Sequence, residues 1–352
     1  MGNGCFLAKI EGHNFSGYLR ENLEQSFHSS HNNLTHPLKK ISSKKSALDT
    51  SLLKQLCEVH APSGEEYRLQ DFLLTHIKKE VKNWKYKPEI IYGEEFQDCI
   101  ILKFGKPHTA VFAHMDSIGF TARYTNQLVS IGSPDADAGT RLVGRDALGE
   151  IDCELELDKE GHAFYKFGRP IQRGTSLTYK IDFRETKETI ETAYLDNRLG
   201  VLNALHVCKT LKDGVVIFSC WEEHGGGSVG YLADFIYKKW NIRQALISDI
   251  TWISDGVEPG KGVVISLRDR NVPRRKFIDK IIALAQESGI PFQLEVEAMG
   301  SSDGGELQRS PLPFDWCFVG APQLNSHTPH EKVNKDDVLA MFALYDELMK
   351  KL

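Results

Sequence analysis

No stretch of this chain approaches the roughly 18 consecutive apolar residues that a membrane-spanning helix needs, so no helical span is expected. The start of the sequence also lacks the uninterrupted apolar core of a secretory signal. Cysteines are few and scattered: Cys5, Cys57, Cys99, Cys153, Cys208, Cys220 and Cys317 form an odd set without a C-x-x-C, which argues against a disulfide framework and against a thiolate zinc site. A reducing, cytoplasmic compartment is the expectation. No long basic block interrupts the chain after its first segment, and the formal net charge is -5, so nucleic acid is not an expected partner. No internal repeat is visible. What is present is 352 residues, 41% hydrophobic and 26% charged, enough to bury a large core and to carry an insertion or a tail.

Residues 1–47 are rich in Ser, His, Asn and Lys without sustained periodicity and read as a disordered leader. Its opening MGNGCF hints at acylation of Gly2 and Cys5, but Phe6 stands where a myristoylation signal has Ser or Thr. The histidines His13, His28, His31, His36, His60 and His76 have no common ligand spacing and read as solvated. From Leu52 the pattern becomes structured. Helical spacing marks LLKQLCEV and YRLQDFLLTHIKK, with Ser63 and Glu66 spaced as a capping box before the second. Short β-branched or apolar runs follow at EIIY, CIILKF and TAVFAH, then a strand-rich, Gly-punctuated region from about 121 to 186. Beyond Asp196 helices and strands alternate to the end. The expected organisation is an α/β sandwich in two parts, 48–120 and 187–352, with a β-rich insert at 121–186.

The stretch SCWEEHGGGSVG (219–230) offers two chemistries. Glu222 and Glu223 are adjacent carboxylates after an apolar strand, whereas GGSVG fits a serine hydrolase pentapeptide with Ser228 as nucleophile and Asp303 and His327 as partners. Placement favours the carboxylates. His114, the Glu222–Glu223 pair, Asp249 and His327 each fall just beyond a predicted strand, the sheet edge at which α/β sites are built, and Asp196 precedes a helix facing the same crevice. Singly, each has an ordinary reading: a hydrogen-bonded structural histidine, a helix N-cap for Asp196, a turn for Asp249. Two vicinal carboxylates at a buried strand end, however, repel and lose solvation unless a cation compensates them. Two histidines and three carboxylates make a cage for two zinc, cobalt or manganese ions, one carboxylate bridging and a further Glu free as base. The serine reading fits less well, because EEHG separates the strand from the pentapeptide and the HGGG oxyanion motif overlaps it.

AHMDSIGF (113–120), AYLDNRLGV (193–201), WEEHGG (221–226), SDIT (248–251) with EPGKGVVI, MGSSDGGELQRS (299–310) and NSHTPHEKVNKDDV (325–338) resemble, in order, the motifs of the tetrahedral or glutamyl aminopeptidases. The resemblance runs from about Leu52 to the C-terminus and is weak in the insert. It implies a three-layer, mixed-sheet α/β domain of the zinc-exopeptidase type with an inserted small β-barrel, and a cytosolic enzyme that hydrolyses N-terminal residues from peptides using two divalent metals per chain, zinc or cobalt before manganese. It implies Asp196 as the bridging ligand, His114 and Asp249 on one metal, Glu223 and His327 on the other, Glu222 as general base and Asp116 as the carboxylate that orients His114. The H-[ST]-x-x-E pattern selects His327 over His330, and the Gly300–Asp303 turn matches a substrate-side loop. Trp252 is a candidate for the cleft wall and Arg268 for a carboxylate contact. Two departures are visible. Asn197 stands where the family usually has aspartate, and the segment between His114 and Asp196 is shorter than in members that build hollow shells, so a homo-oligomer of at least a dimer is expected. A non-catalytic peptide-binding member of the fold is the alternative, although no ligand or base is missing.

Overall fold

The computed structural model describes residues 48–352; the leader, with Gly2, Cys5 and its four histidines, lies outside the described residues. The chain opens with helices α1 (Thr50–Glu58) and α2 (Tyr67–Glu80), then strands β1 (Glu89–Ile91), β2 (Ile100–Phe104) and β3 (Ala110–His114). A run of strands follows: β4 (Gly119–Ala122), β5 (Leu128–Ile131), β6 (Arg141–Asp146), β7 (Gly149–Leu157), β8 (Ala163–Lys166) and β9 (Ser176–Tyr179). Strands β10 (Arg184–Glu185) and β11 (Thr189–Thr192) lead to α3 (Leu195–Cys208), β12 (Gly214–Ser219), α4 (Ser228–Trp240), β13 (Gln244–Trp252) and β14 (Val263–Arg268). The last elements are α5 (Arg275–Ser288), β15 (Phe292–Val296), α6 (Asp303–Arg309), β16 (Asp315–Leu324), β17 (Glu331–Asn334) and α7 (Lys335–Lys351).

Two sheets result. The larger runs β1-β2-β12-β3-β13-β16-β17-β11-β10, with β14 and β15 branching from β16. Its central pairs β12–β3, β3–β13 and β13–β16 are parallel, and β2, β14 and β17 add to it antiparallel. Parallel strands are covered on both faces, which accounts for the unbroken burial of AVFAH in β3 and GVVIFS in β12. Helices α1, α3, α5 and α7 pack as one connected set and α4 with α6 as another, completing three layers. The smaller sheet, β5-β4-β9-β6-β7-β8, curls until Gln127 bridges to Phe164, and so approaches a closed barrel around its own core of Phe120, Leu142, Ile151, Leu155, Leu177 and Tyr179. No helix among the described residues is long and apolar enough to cross a membrane. All six described cysteines are free and buried.

The sequence rules place most elements, and their failures are instructive. α1 buries Leu52, Leu53, Leu56 and Cys57 as one stripe, and Asp49 caps it by accepting the Leu52 N–H at 3.0 Å. The expected Ser63/Glu66 capping box does not form. The Ser63 hydroxyl donates instead to Asp116 at 2.6 Å, and Glu66 becomes the residue before α2 with its carboxylate turned inward. α3 is buried nearly all round because it lies between the sheet and other helices; an added Cβ at Gly200 would stand 2.1 Å from the Ser248 carbonyl, so glycine permits its approach to β13. Asp249 does not follow its strand but lies inside it, because β13 extends to Trp252 in register with β16.

Candidate metal centre

Strands β3, β12 and β13 run parallel, so their C-terminal ends present a common edge, and the predicted residues gather there. His114 is the last residue of β3; its Nε2 lies 3.2 Å from Asp196 Oδ1 and 3.6 Å from Asp249 Oδ2. His327 follows β16 by three residues; its Nε2 is 3.5 Å from Asp196 Oδ2 and from Glu223 Oε2. Donor atoms of His114, Asp196 and Asp249 lie within 4.8 Å of one another, as do those of Asp196, Glu223 and His327, so Asp196 belongs to both groups through its two oxygens. Glu222 shares the short turn after β12 with Glu223 and lines the same cleft of about 370 Å³. His330, the alternative histidine, is exposed and 3.7 Å from Glu191.

Asp196 is free for this place because another residue caps α3. Asp196 and Asn197, joined by a cis peptide, depart from helical backbone; the Asn197 Oδ1 accepts the Gly200 N–H at 2.9 Å and its Nδ2 donates to the Ser248 carbonyl at 2.9 Å. The N-cap reading of Asp196 is therefore corrected in favour of its neighbour. An asparagine can accept at one end and donate at the other, which an ionised aspartate cannot.

Three buried carboxylates that are not in either donor group hold the backbone of residues that are, or of their immediate neighbours. Asp116 accepts the N–H of Glu222 at 3.1 Å and of Glu223 at 3.0 Å, and its Oδ1 faces His114 Nδ1 at 3.4 Å. Glu331 accepts the N–H of Asp196 at 3.1 Å and of His327 at 2.9 Å, one on each oxygen. Glu66 accepts the Trp221 N–H at 3.0 Å, bracing the turn from behind. Arg198, fully buried, donates to the carbonyls of Leu56, Met115, Asp116 and Ala61, adding a permanent cation beneath the cluster. The family resemblance pointed to Asp116 but not to the roles of Glu66, Glu331 or Arg198. For Glu331 the H-[ST]-x-x-E pattern was the available signal.

So many carboxylates in one dry place set the electrostatics. Burial opposes charge on His114, but Asp249, Asp116 and Asp196 outweigh it and hold the imidazole well above its usual value. His327 is likewise held up to about 10, burial being overcome by Asp196 and Glu223. Asp196 stays well below the ordinary carboxylate range against its burial, because both histidines hydrogen-bond to it. The remaining acids go the other way. Burial and then the Asp196 charge push Glu223 up to about 8, and burial raises Asp249 to about 6 although His114 pulls it down. Burial, opposed by His114 but aided by Glu223, Asp249 and Asp303, lifts Glu222 well above its ordinary value. Glu223 Oε1 is buried without a hydrogen-bond partner, and His114 Nδ1 has only the long approach to Asp116. Anionic oxygens converging with imidazole nitrogens, one oxygen orphaned, are what divalent cations would satisfy, and the mixed N/O donor set suits zinc, cobalt or manganese.

The serine alternative is not assembled. Ser228 is buried at the start of α4, where its hydroxyl donates to the Cys220 carbonyl at 2.9 Å and accepts the Cys220 N–H at 3.0 Å. The glycines before it serve the turn: Gly226 has φ +71°, and a Cβ there would strike Glu306 Oε1 at 2.0 Å. Asp303 is engaged by Ser219 Oγ at 2.5 Å. Of the softer candidates, Trp252 does line the cleft, whereas Arg268 donates its Nε to the Asp269 carbonyl.

Fold and site together define a class: a mixed α/β chain carrying two carboxylate–histidine groups at the C-terminal edge of a parallel strand set. The family model of M42 glutamyl aminopeptidases matches residues 156–344, more than half of the chain, and the chain belongs to that family. A protein of Acetivibrio thermocellus, provisionally named an aminopeptidase, is 23% identical over 319 residues, covering 82% of this chain and 94% of its own. Among solved structures, an aminopeptidase from Desulfurococcus kamchatkensis superposes with a TM-score of 0.75 at 20% identity, covering 86% of this chain and 94% of that one. The TET1 peptidase of Pyrococcus horikoshii, described as assembling into a tetrahedron or a large octahedral shell, gives 0.73 at 19% identity over 86% and 99%.

Proposed function

We propose that this chain removes N-terminal residues from peptides, with two divalent cations held by His114, Asp196 and Asp249 on one side and by Asp196, Glu223 and His327 on the other. Zinc or cobalt is the first expectation, manganese the next, and the cytoplasm the compartment. When bound, such cations polarise a carbonyl and make water acidic enough to attack at neutral pH. The chain's own part is positional and protonic. Asp196 has one oxygen toward each histidine, so it is placed to serve both sites. Asp116 holds the N–H groups of Glu222 and Glu223 on its two oxygens, which fixes the base relative to the ligand next to it. Glu222, in none of the donor groups yet facing the same cleft, takes the proton of the attacking water and returns it to the leaving amine. Burial raises its proton affinity, which suits a group that must both accept and donate.

The observation that carries this reading is the sharing of Asp196 between two histidine-containing donor groups, with Glu222 beside them and outside both. The chain is proposed to act as a homo-oligomer of at least two copies, with 121–186 as insert and 48–120 and 187–352 as the catalytic parts. The test is Glu222→Gln on metal-reconstituted protein. The variant should keep the wild-type metal content and lose turnover of peptides by at least about a hundredfold, the lower end of what a positioned base contributes. Wild-type protein that binds metal and peptide but releases no amino acid would establish the non-catalytic alternative, and inactivation by Ser228→Ala with an active Glu222→Gln would establish the esterase.

A further inference from the structure

We infer that Ser133, on the β5–β6 loop of the six-stranded insert, is a positioning residue for His327, and that the insert is thereby part of one metal site and not of the other. This rests on reading His327 as a ligand. His327 has φ +65°, a left-handed conformation that a residue with a side chain adopts only where its surroundings enforce it. One hydrogen bond comes from its own segment: its N–H donates to Glu331 at 2.9 Å. The others come from the insert. Its carbonyl accepts the Asp135 N–H at 3.0 Å and the Tyr179 hydroxyl at 3.1 Å, and its ring Nδ1 lies 2.8 Å from Ser133 Oγ and 3.1 Å from the Ser133 carbonyl oxygen.

The ring contact fixes the tautomer. A carbonyl oxygen has no proton to give, so Nδ1 must carry one to meet it, and the Ser133 hydroxyl can accept from the same proton. In the neutral ring the lone pair is then left on Nε2, the nitrogen that faces Asp196 and Glu223. The same turn reaches the second ligand-bearing loop: the Gly132 N–H donates at 2.9 Å to Nδ1 of His224, the residue after Glu223. A Cβ at Gly132 would stand 3.0 Å from the Glu223 carbonyl, which keeps the turn against that loop. His114 is oriented differently, by Asp116 two residues further along the same segment. The two sites therefore differ in what holds them: one is braced within the sheet edge, the other by the insert.

The test is a titration of metal-free protein with cobalt(II), following its visible absorption and calorimetric heat, on wild type, Ser133→Ala, Ser133→Thr and the control Ser130→Ala, an exposed residue of the same sheet. In Ser133→Ala the affinity of one of two cobalt ions should fall about tenfold, the lower end for loss of a partner that orients a ligand, because the Ser133 carbonyl remains. The other ion should bind unchanged, Ser133→Thr should return to within about threefold of wild type, and Ser130→Ala should match it. Hydrogen exchange of the Asp135 amide should slow when cobalt binds. Affinities for both ions in Ser133→Ala unchanged from wild type, or an Asp135 amide indifferent to cobalt, would overturn the inference while leaving the metal centre standing. Weakening of both ions together would reduce Ser133 to a structural role, and wild type that binds no cobalt would overturn the metal centre and this inference with it.

Discussion

Replacing Glu331 by Gln perturbs the site without touching a proposed ligand. Each oxygen of the Glu331 carboxylate accepts one backbone N–H, from Asp196 at 3.1 Å and His327 at 2.9 Å, and the side chain is buried. The amide keeps one acceptor and turns an NH2 toward the other N–H, so one buried donor loses its partner and faces another donor. Leaving such a group unsatisfied costs about 1–3 kcal/mol. Glu331→Ala leaves both donors unmet and frees His327 from its left-handed backbone, so about 2–6 kcal/mol is expected if the two terms add. Since the lost bonds position ligands, metal affinity should also fall, by about 10–100-fold. Urea unfolding of the metal-free protein, monitored by tryptophan fluorescence, gives the first quantity and calorimetric titration with zinc the second. Glu331→Gln protein within about 0.5 kcal/mol of wild type, with unchanged zinc affinity, would refute the claim that this carboxylate staples the two ligand segments, because a change that small is what an ordinary surface substitution gives.

Asn197→Ala should destabilise the protein by about 0.5–2 kcal/mol through loss of the α3 cap, with a further contribution from the Ser248 carbonyl left without its donor; urea midpoints read both, and a neutral result would contradict the capping role. At low pH the Asp146–Arg169 pair is the clearest marker away from the site: the Arg169 guanidinium beside Asp146 holds its carboxyl down to about 2. A depressed carboxyl adds stability above its unfolded value near 3.9, and that stability is lost as pH falls toward 2. The difference between wild type and Asp146→Asn should accordingly be constant from pH 7 to about 5 and shrink below about 4, whereas a difference that grows on acidification would refute the assignment.

How much of this was legible in the sequence depended on distance along the chain. His114, Glu222, Glu223 and His327 could be placed because each follows a short apolar run, and the structure puts each at a strand end. Asp249 reads as following the run QALIS, yet parallel pairing with β16 carries β13 through to Trp252. α6 and β17 carry no local signal: DGGELQR is a seven-residue, glycine-containing helix, and EKVN becomes a strand only by pairing with β11 and β16. The bracing residues were hidden for a deeper reason. Glu66 meets Trp221 from 155 residues away, and Ser133 meets His327 from 194, so no local pattern announces them. The Ser63–Glu66 spacing even advertised a cap that the tertiary structure spends elsewhere, on Asp116 and the Trp221 N–H.

The central claim, that Asp196 serves two cations at once, is tested most directly by anomalous diffraction at the zinc edge from crystals of zinc-reconstituted protein. The account predicts two peaks per chain, one contacting His114, Asp196 and Asp249 and the other Asp196, Glu223 and His327, with Glu222 bound to neither. A single peak, or a second one that does not touch Asp196, would contradict it.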